Sequence, residues 1–385
     1  MPLSVIRVPK MADTLSDSVS AGSREFLSEE DFTRMIAIER KRTERSKEPF
    51  LLMLLEAADR QASNNSGGTL DKVVTALLPT TRETDVVGWY KDRTAVGVMF
   101  TGLNVNVEDK NLILDAIGNR LSAKLRETLA FESFEQITMS FHFFPDDWNH
   151  DKPGRPTNLT LYPDLVNRDT SRRFPLILKR AIDVVGSAGM LILFSPILLM
   201  IALLIKASSK GPVLFRQRRI GQHGRQFTFL KFRSMRVDND NSVHREYVTK
   251  LIANEAGRQQ SGGPGDGIFK LTNDKRVTPV GKLLRRTSFD ELPQFLNVLK
   301  GEMSLVGPRP PLPYELAVYQ TWHRRRVLEA KPGITGLWQV TGRSRVKFDE
   351  MVRLDLYYAR SWSPWLDLKI LMKTPLAVIK GAGAC

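Results

Sequence analysis

AIDVVGSAGMLILFSPILLMIALLI, residues 181–205, is long enough to span a bilayer, which takes ~20 predominantly apolar residues. Two of its features argue against a simple crossing. Ser195-Pro196 falls near the middle, and a proline inside a helix removes a backbone hydrogen bond at a cost of ~3 kcal/mol or more. Cations also flank both ends: Arg172, Arg173, Lys179 and Arg180 precede the run, and Lys206, Lys210, Arg216, Arg218 and Arg219 follow it. Positive charge favours the cytoplasmic side, so both ends belong there. A kinked helix that enters the leaflet and returns meets both demands. The Ser195 hydroxyl is then predicted to satisfy the carbonyl that Pro196 frees, and Asp183 to pair with a flanking cation. A kinked conventional span is the alternative.

Outside this run the composition is globular, with 42% hydrophobic and 26% charged residues, and 385 residues suffice for two or three domains. The single cysteine, Cys385, excludes a disulfide framework and a cysteine metal site, which fits a reducing compartment. No basic n-region followed by an apolar run opens the chain, so no secretory signal is predicted. Charge is unevenly placed. Residues 1–150 hold 18 Lys+Arg against 23 Asp+Glu, whereas residues 151–385 hold 39 against 19. The basic half calls for an anionic partner: nucleic acid, lipid headgroups or phosphorylated substrates. The long apolar run, and the lack of a recognisable DNA- or RNA-binding motif, count against nucleic acid.

Along residues 32–144 the pattern reads helix-β-α-β-β-α-β, with strands at 50–57 and 137–144, helices at 32–46, 70–79 and 113–129, and a hairpin turning at Lys91-Asp92-Arg93. This predicts an α+β sandwich with an antiparallel sheet. The layout weakly resembles the nucleotide-cyclase-like domain that carries the GGDEF signature. Arg82 and Asp85 stand where that family often has its Arg-x-x-Asp product-binding motif, but Lys91-Asp92-Arg93-Thr94-Ala95 replaces the signature hairpin. The resemblance therefore implies a catalytically dead domain, either purely structural or retaining nucleotide sensing through Arg82 and Asp85. Expected boundaries are a lead-in over 1–30, this domain over 31–145, a polar linker over 146–173 and a membrane-associated domain over 174–385.

In the second half, 213–237 reads as a β-hairpin turning at Gly221–Gly224, with Lys231 and Arg233 on one strand face. The polar 238–269 is expected to be a mobile loop. PWLDLKILMKTPLAVIKG, 364–381, reads as an amphipathic interfacial helix bent at Pro375, with Trp362 and Trp365 as anchors. Between them lies RRTSFDE, 285–291. Ser288 and Glu291 have capping-box spacing, although Pro293 crowds that register and leaves Asp290 as an alternative cap. Set among arginines suited to phosphate, the acids also fit phosphoryl transfer. One carboxylate can attack phosphorus while its neighbour holds a divalent cation.

KRAIDVVGS, LFRQRRIG, FTFLKFRSM, RRTSFDELPQFLNVLKGEMSLVGPRP, KPGITGLWQVTGRS and LDLYYARSWSPWLDLKIL, taken in order from about 174 to 382, resemble the bacterial sugar transferase family. These are monotopic polyprenyl-phosphate glycosyl-1-phosphate transferases. The resemblance implies transfer of a sugar-1-phosphate from a UDP-sugar to undecaprenyl phosphate, with UMP released, at the cytoplasmic face of the inner membrane. It implies Asp290 as nucleophile through a phosphosugar-enzyme intermediate and an Asp290-Glu291 site for Mg²⁺. Lys231, Arg233, Arg286 and Arg309 are implied as phosphate contacts, and Gln339 and Arg343 as nucleotide or lipid-phosphate contacts. Ser195-Pro196 matches the re-entrant break, and Lys179-Arg180 the basic pair where the helix enters the membrane. Membrane lipids are implied partners, and a homodimer is compatible with the sequence. The rival reading is a non-enzymatic membrane-surface scaffold with a nucleotide-sensing N-terminal domain, in which the cations meet lipid headgroups.

Overall fold

The structure, a computed structural model, describes residues 25–57, 66–103, 110–145, 158–236, 242–253, 259–260, 267–268, 276–342 and 346–379. The chain divides into two compact units, Met1–Glu39 with Glu48–Phe143 and Arg40–Lys47 with Phe144–Cys385.

The first unit has the predicted element order: α1 (Glu29–Ser46, whose last residues belong to the second unit), β1 (Phe50–Ala57), α2 (Ser66–Leu77), β2 (Val86–Lys91), β3 (Ala95–Phe100), α3 (Lys110–Thr128), a short α4 (Phe131–Glu135) and β4 (Ile137–Phe144). The sheet order is β2-β3-β1-β4, with β3 antiparallel to both of its neighbours. β1 is central and covered on both faces, which is why its first six residues, FLLMLL, read as an unbroken apolar run. Leu51, Met53 and Leu55 pack with Leu70, Val73 and Leu77 of α2 and Leu121 and Leu125 of α3. Gly97 is required where Phe32 lies on β3, because a Cβ there would come within 2.2 Å of the phenyl ring. The hairpin turns at Asp92–Thr94 with Arg93 at φ 52. Arg82 and Asp85 share one tight turn, closed by the Arg82 N–H donating to the buried Asp85 carboxylate at 2.8 Å, while the Arg82 side chain is exposed.

In the second unit a 3-10 turn (Leu159–Leu161) and α5 (Pro163–Ser171) occupy part of the stretch expected as linker. α6 (Arg173–Leu193) and α7 (Ser195–Ser208) follow, bent 61° to one another. No single described helix is long and apolar enough to cross a membrane. At the bend the Ser195 hydroxyl donates to Ile192 O at 2.8 Å, the carbonyl that Pro196 leaves without its helical N–H. Val185, Ile192, Leu193, Leu199 and Leu203 are exposed along the pair, whereas Ile201 and Ile205 turn inward against Phe232, Leu284 and Phe289.

Asp183 departs from its sequence expectation, and Lys179 and Arg180 make contacts within the protein. Lys179 Nζ pairs with Asp367 at 2.6 Å and donates to Val306 O and Tyr358 Oη. Arg180 donates to Val298 O and Leu299 O at 2.6 and 2.8 Å. The basic pair thus faces inward and stitches α6 to its neighbours. Among the described residues Asp183 has no cation at ion-pair distance; its Oδ1 accepts from Ser304 Oγ and Leu305 N at 2.9 and 2.8 Å. One turn of helix carries all three residues to the protein-facing side, so the apolar face alone is left outward.

Next come β5 (Leu214–Ile220) and β6 (Gln226–Phe232), antiparallel as predicted. α8 (Ser242–Ile252) corrects the expectation of a loop over 238–269. Val248, Leu251 and Ile252 recur at helical spacing and pack against Val327, Val352 and Leu356. Short β7 (Gln259–Gln260) and β8 (Gly267–Ile268) pair with each other. α9 (Pro279–Thr287), α10 (Gln294–Lys300), β9 (Ser304–Val306), α11 (Pro313–Val318), α12 (Thr321–Glu329), β10 (Gly333–Thr335, parallel to β9), α13 (Leu337–Thr341), α14 (Phe348–Ser361) and α15 (Pro364–Ile379) complete the unit. α15 exposes Trp365, Met372 and Ile379. Trp362, expected beside Trp365 as an anchor, instead donates Nε1 to Asp367 Oδ2 at 3.0 Å.

Candidate active site

A cleft of 1610 Å³ opens between the β5–β6 hairpin, the segment joining α9 to α10, the turn after β9, and α13 with α15. β6 forms one wall. Phe227 and Phe229 point into the core by strand alternation, and Lys231, next in that phase, comes to the cleft with Nζ 5.3 Å from the Phe229 ring centre. The free edge of β6 is closed by one side chain. Asn297 on α10, fully buried, donates Nδ2 to Thr228 O at 2.7 Å and accepts Leu230 N at Oδ1 at 3.1 Å. It supplies the donor and acceptor of a neighbouring strand, fixing β6 against the helix that follows the acids.

The acids sit on neither helix. Thr278 caps α9 by accepting Gly281 N at 3.0 Å, and α9 ends where Ser288 adopts φ 60, ψ 17. A 3-10 turn, Phe289–Glu291, then leads through Pro293 into α10. Neither capping expectation holds: Ser288 makes no side-chain cap, and the N-cap of α10 is Pro293 rather than Asp290. Pro293 has no N–H for a capping side chain to engage, so the turn is free to present both carboxylates to the cleft.

Their surroundings separate them. Burial pushes Asp290 up to about 6 despite the Lys231 ammonium, and the Glu291 charge raises it further. Burial also disfavours ionised Glu291, but Lys231, Arg309 and Arg219 outweigh it and hold that carboxyl below its usual range. Lys231 Nζ lies 3.5 Å from Glu291 Oε1, and its own affinity for protons is lowered by burial against that attraction. Adjacent carboxyls pushed apart in this way suit different tasks.

Arg309 is exposed and lines the cleft, as does Gln339, whose Nε2 reaches Ile334 O at 3.5 Å. Arg233, expected as a phosphate contact, also lines the cleft but is buried and donates to Ser209 O, Ser209 Oγ and Lys210 O, closing the end of α7. Its strand ends at Phe232, so the two-residue alternation no longer ties it to Lys231. Arg286 is exposed and off the cleft wall, while Arg285 lines the cleft and donates Nε to Ser234 Oγ at 3.0 Å. One residue along a helix turns a side chain by about 100°, which is the physical reason for the exchange. Arg343 lies outside the described residues.

Arg285, named from sequence with Arg286 and Arg309 as suited to phosphate, completes the surroundings of the site together with Arg219, Asn297 and Arg326, which were not singled out as site residues. For Arg219 a signal exists: Phe215, Gln217 and Arg219 share one strand face, and all line the cleft.

Among the described residues no three His, Cys, Asp or Glu converge as a metal cage. Asp290 and Glu291 therefore fit only an ion that takes its remaining ligands from water and substrate phosphates. Mg²⁺ binds in that way.

The bacterial sugar transferase family matches residues 174–381. The galactosyl transferase CpsE of Streptococcus agalactiae is 39% identical over 299 residues, covering 76% of this chain and 54% of its own length. The undecaprenyl-phosphate galactose phosphotransferase of Salmonella typhimurium is 42% identical over 220 residues, covering 57% and 44%. The chain thus spans about half the length of these two curated relatives. The exopolysaccharide production protein ExoY of Rhizobium meliloti is 40% identical over 224 residues, covering 58% of this chain and 95% of that protein. By its match over residues 174–381, with Asp290, Glu291, Lys231 and Arg309 gathered in one cleft there, this chain belongs to the bacterial sugar transferase family.

Proposed function

We propose that the second unit transfers a sugar-1-phosphate from a UDP-sugar to undecaprenyl phosphate, giving undecaprenyl-diphospho-sugar and UMP, as an initiating step of exopolysaccharide, O-antigen or capsule synthesis. Support comes from the family and from relatives whose names state such reactions, including a UDP-glucose:undecaprenyl-phosphate glucose-1-phosphate transferase of Klebsiella pneumoniae, 44% identical over 214 residues. The observation that carries the reading is the buried Asp290 carboxyl in a cleft ringed by Lys231, Arg219, Arg285 and Arg309.

In the first step an Asp290 oxygen bonds to the sugar-bearing phosphorus, and the bond from that phosphorus to the bridging oxygen breaks. UMP leaves with the electron pair. In the second step a phosphate oxygen of the lipid attacks the same phosphorus and returns Asp290 as a carboxylate. Arg309, Lys231 and Arg285 neutralise the charge gathered in both steps, where positioning and electrostatics supply most of the catalysis. Mg²⁺ held by Glu291 and Asp290 would neutralise the diphosphate when bound.

The lipid acceptor requires a site at headgroup depth. The bent α6–α7 pair, apolar outward and joined at Ser195-Pro196, supports a re-entrant anchor in the inner membrane with the cleft on the cytoplasmic face. α15, with Trp365 exposed, lies in the interface. The test is full-length protein in membranes with undecaprenyl phosphate and a panel of UDP-sugars, monitored for UMP. Mg²⁺-dependent release is expected, and its loss in Asp290→Asn. Unchanged release in that variant would remove Asp290 as nucleophile. No release with any sugar would favour a scaffold.

A further inference from the structure

Gly307-Pro308-Arg309-Pro310-Pro311 carries one of the exposed cations of the cleft on a backbone that cannot organise itself. Proline lacks an N–H, so residues 308, 310 and 311 can donate to no ladder. The carbonyls of this run are instead taken one by one from outside. Pro308 O accepts Gly333 N at 2.9 Å, and Pro311 O accepts Ile220 N at 3.0 Å. Between them, Arg309 O accepts Arg326 Nη2 at 3.2 Å and Pro310 O accepts Arg219 Nη1 at 2.5 Å. Both guanidiniums are buried, at 2% and 4% exposure.

Each is also held from behind. Asp355 lies 2.6 Å from Arg326. Gln217 Oε1 accepts from Arg219 Nε and Nη2 at 3.2 and 3.0 Å, and the Phe229 ring centre lies 4.6 Å from its Cζ. Burying two cations costs several kcal/mol of hydration apiece, and neutral donors would close a loop as well. What the two arginines add is a link to particular elements. Arg219 ties the turn to β5, whose partner β6 carries Lys231. Arg326 ties it to α12 and, through Asp355, to α14. On the other side Gly307 is packed so closely that a Cβ would come within 2.2 Å of Lys331 O.

We propose that Arg219 and Arg326 are positioning residues that grip consecutive carbonyls of the proline turn and thereby fix the Arg309 guanidinium relative to Lys231, Asp290 and Glu291. The clamp deepens the transferase reading and rests on it. It also assigns work to a buried arginine that has no described carboxylate at ion-pair distance.

The test is a double-mutant cycle on the full chain in membranes, read as kcat/KM for UMP release. Arg219→Lys keeps the charge but loses the fork that joins Gln217 to Pro310. It should lower kcat/KM on the order of 10- to 100-fold, as expected for a misplaced catalytic cation. Combined with Arg309→Ala it should cost no further activity, within about twofold, because its effect passes through Arg309. Thermal unfolding supplies the contrast, since any structural loss from Arg219→Lys persists in the Arg309→Ala background. If Arg219→Lys does not fold, Gln217→Asn withdraws the supporting amide and enters the same cycle. Losses that multiply in the double variant overturn the clamp while leaving the transferase reading intact. A wild-type chain that releases no UMP overturns that reading and the clamp with it.

Discussion

Lys231 faces Glu291 across 3.5 Å and lies over the Phe229 ring, with Asp290 and Arg309 near enough to shift its protonation. An ammonium so placed raises the ionised fraction of both acids and offers a charge to an incoming phosphate. Lys231→Met should therefore lower kcat/KM by about 10²- to 10³-fold, the range for deleting one preorganised electrostatic contact, with little change in thermal unfolding. UMP-release kinetics measured beside a melting curve would check both halves of the expectation. At this scale the acids and Lys231 were legible because their chemistry is local: paired carboxylates, and a cation two residues beyond a phenylalanine. Arg285 and Arg286 were not separable, because the choice depends on where α9 begins around its axis. Arg233 escaped for a similar reason, since its strand stops one residue short.

Among the elements, β1 and β4 were readable from composition alone, and so was the β5–β6 hairpin from its glycines. The junction between α9 and α10 was not. Ser288 and Glu291 satisfy a local capping rule, but the left-handed turn at Ser288 and the imide at Pro293 override it. Holding this junction to β6 falls to Asn297. Asn297→Ala would leave Thr228 O and Leu230 N buried without partners, at about 1–3 kcal/mol for each group. A fall in melting temperature together with slower UMP release is expected, and a variant as stable as the parent would show that β6 does not depend on this bridge. The bend between α6 and α7 makes its own prediction. Cysteines placed at Pro175 and Pro212, in a Cys385→Ser background, should both label from the cytoplasmic side only. Labelling from opposite sides would make the pair a span.

Across the second unit, buried ionisable groups couple stability to pH. His323 is fully buried among Tyr319, Trp322 and Phe348, with Asp349 Oδ1 at 3.0 Å. Burial lowers its affinity for protons, Arg326 adds to the effect, and the Asp349 hydrogen bond only partly offsets them. The folded state then holds fewer protons than the unfolded chain at pH values just below about 6.5, so stability is full above that value and falls as pH drops through the window. Acidification from pH 7.5 to 5.5 should therefore lower the melting temperature of the parent relative to His323→Phe, since the buried Asp290 carboxyl, which acts with the opposite sign, is common to both. A steeper slope in that variant would reverse the assignment. The first unit was legible as an α+β layer, and in its Arg82–Asp85 turn the Asp85 carboxylate closes on the Arg82 N–H, which is a structural reason for Asp85 alone. The break at Ser195-Pro196 has the longest reach of any feature in the chain. On the re-entrant reading proposed above, straightening α6 and α7 would make one apolar rod longer than the ~20 residues a bilayer needs and would carry the cleft to the side opposite its proposed donor. On the transferase reading proposed above, one hydroxyl bonded to one carbonyl would help decide on which side of a membrane residues 209–385 are delivered.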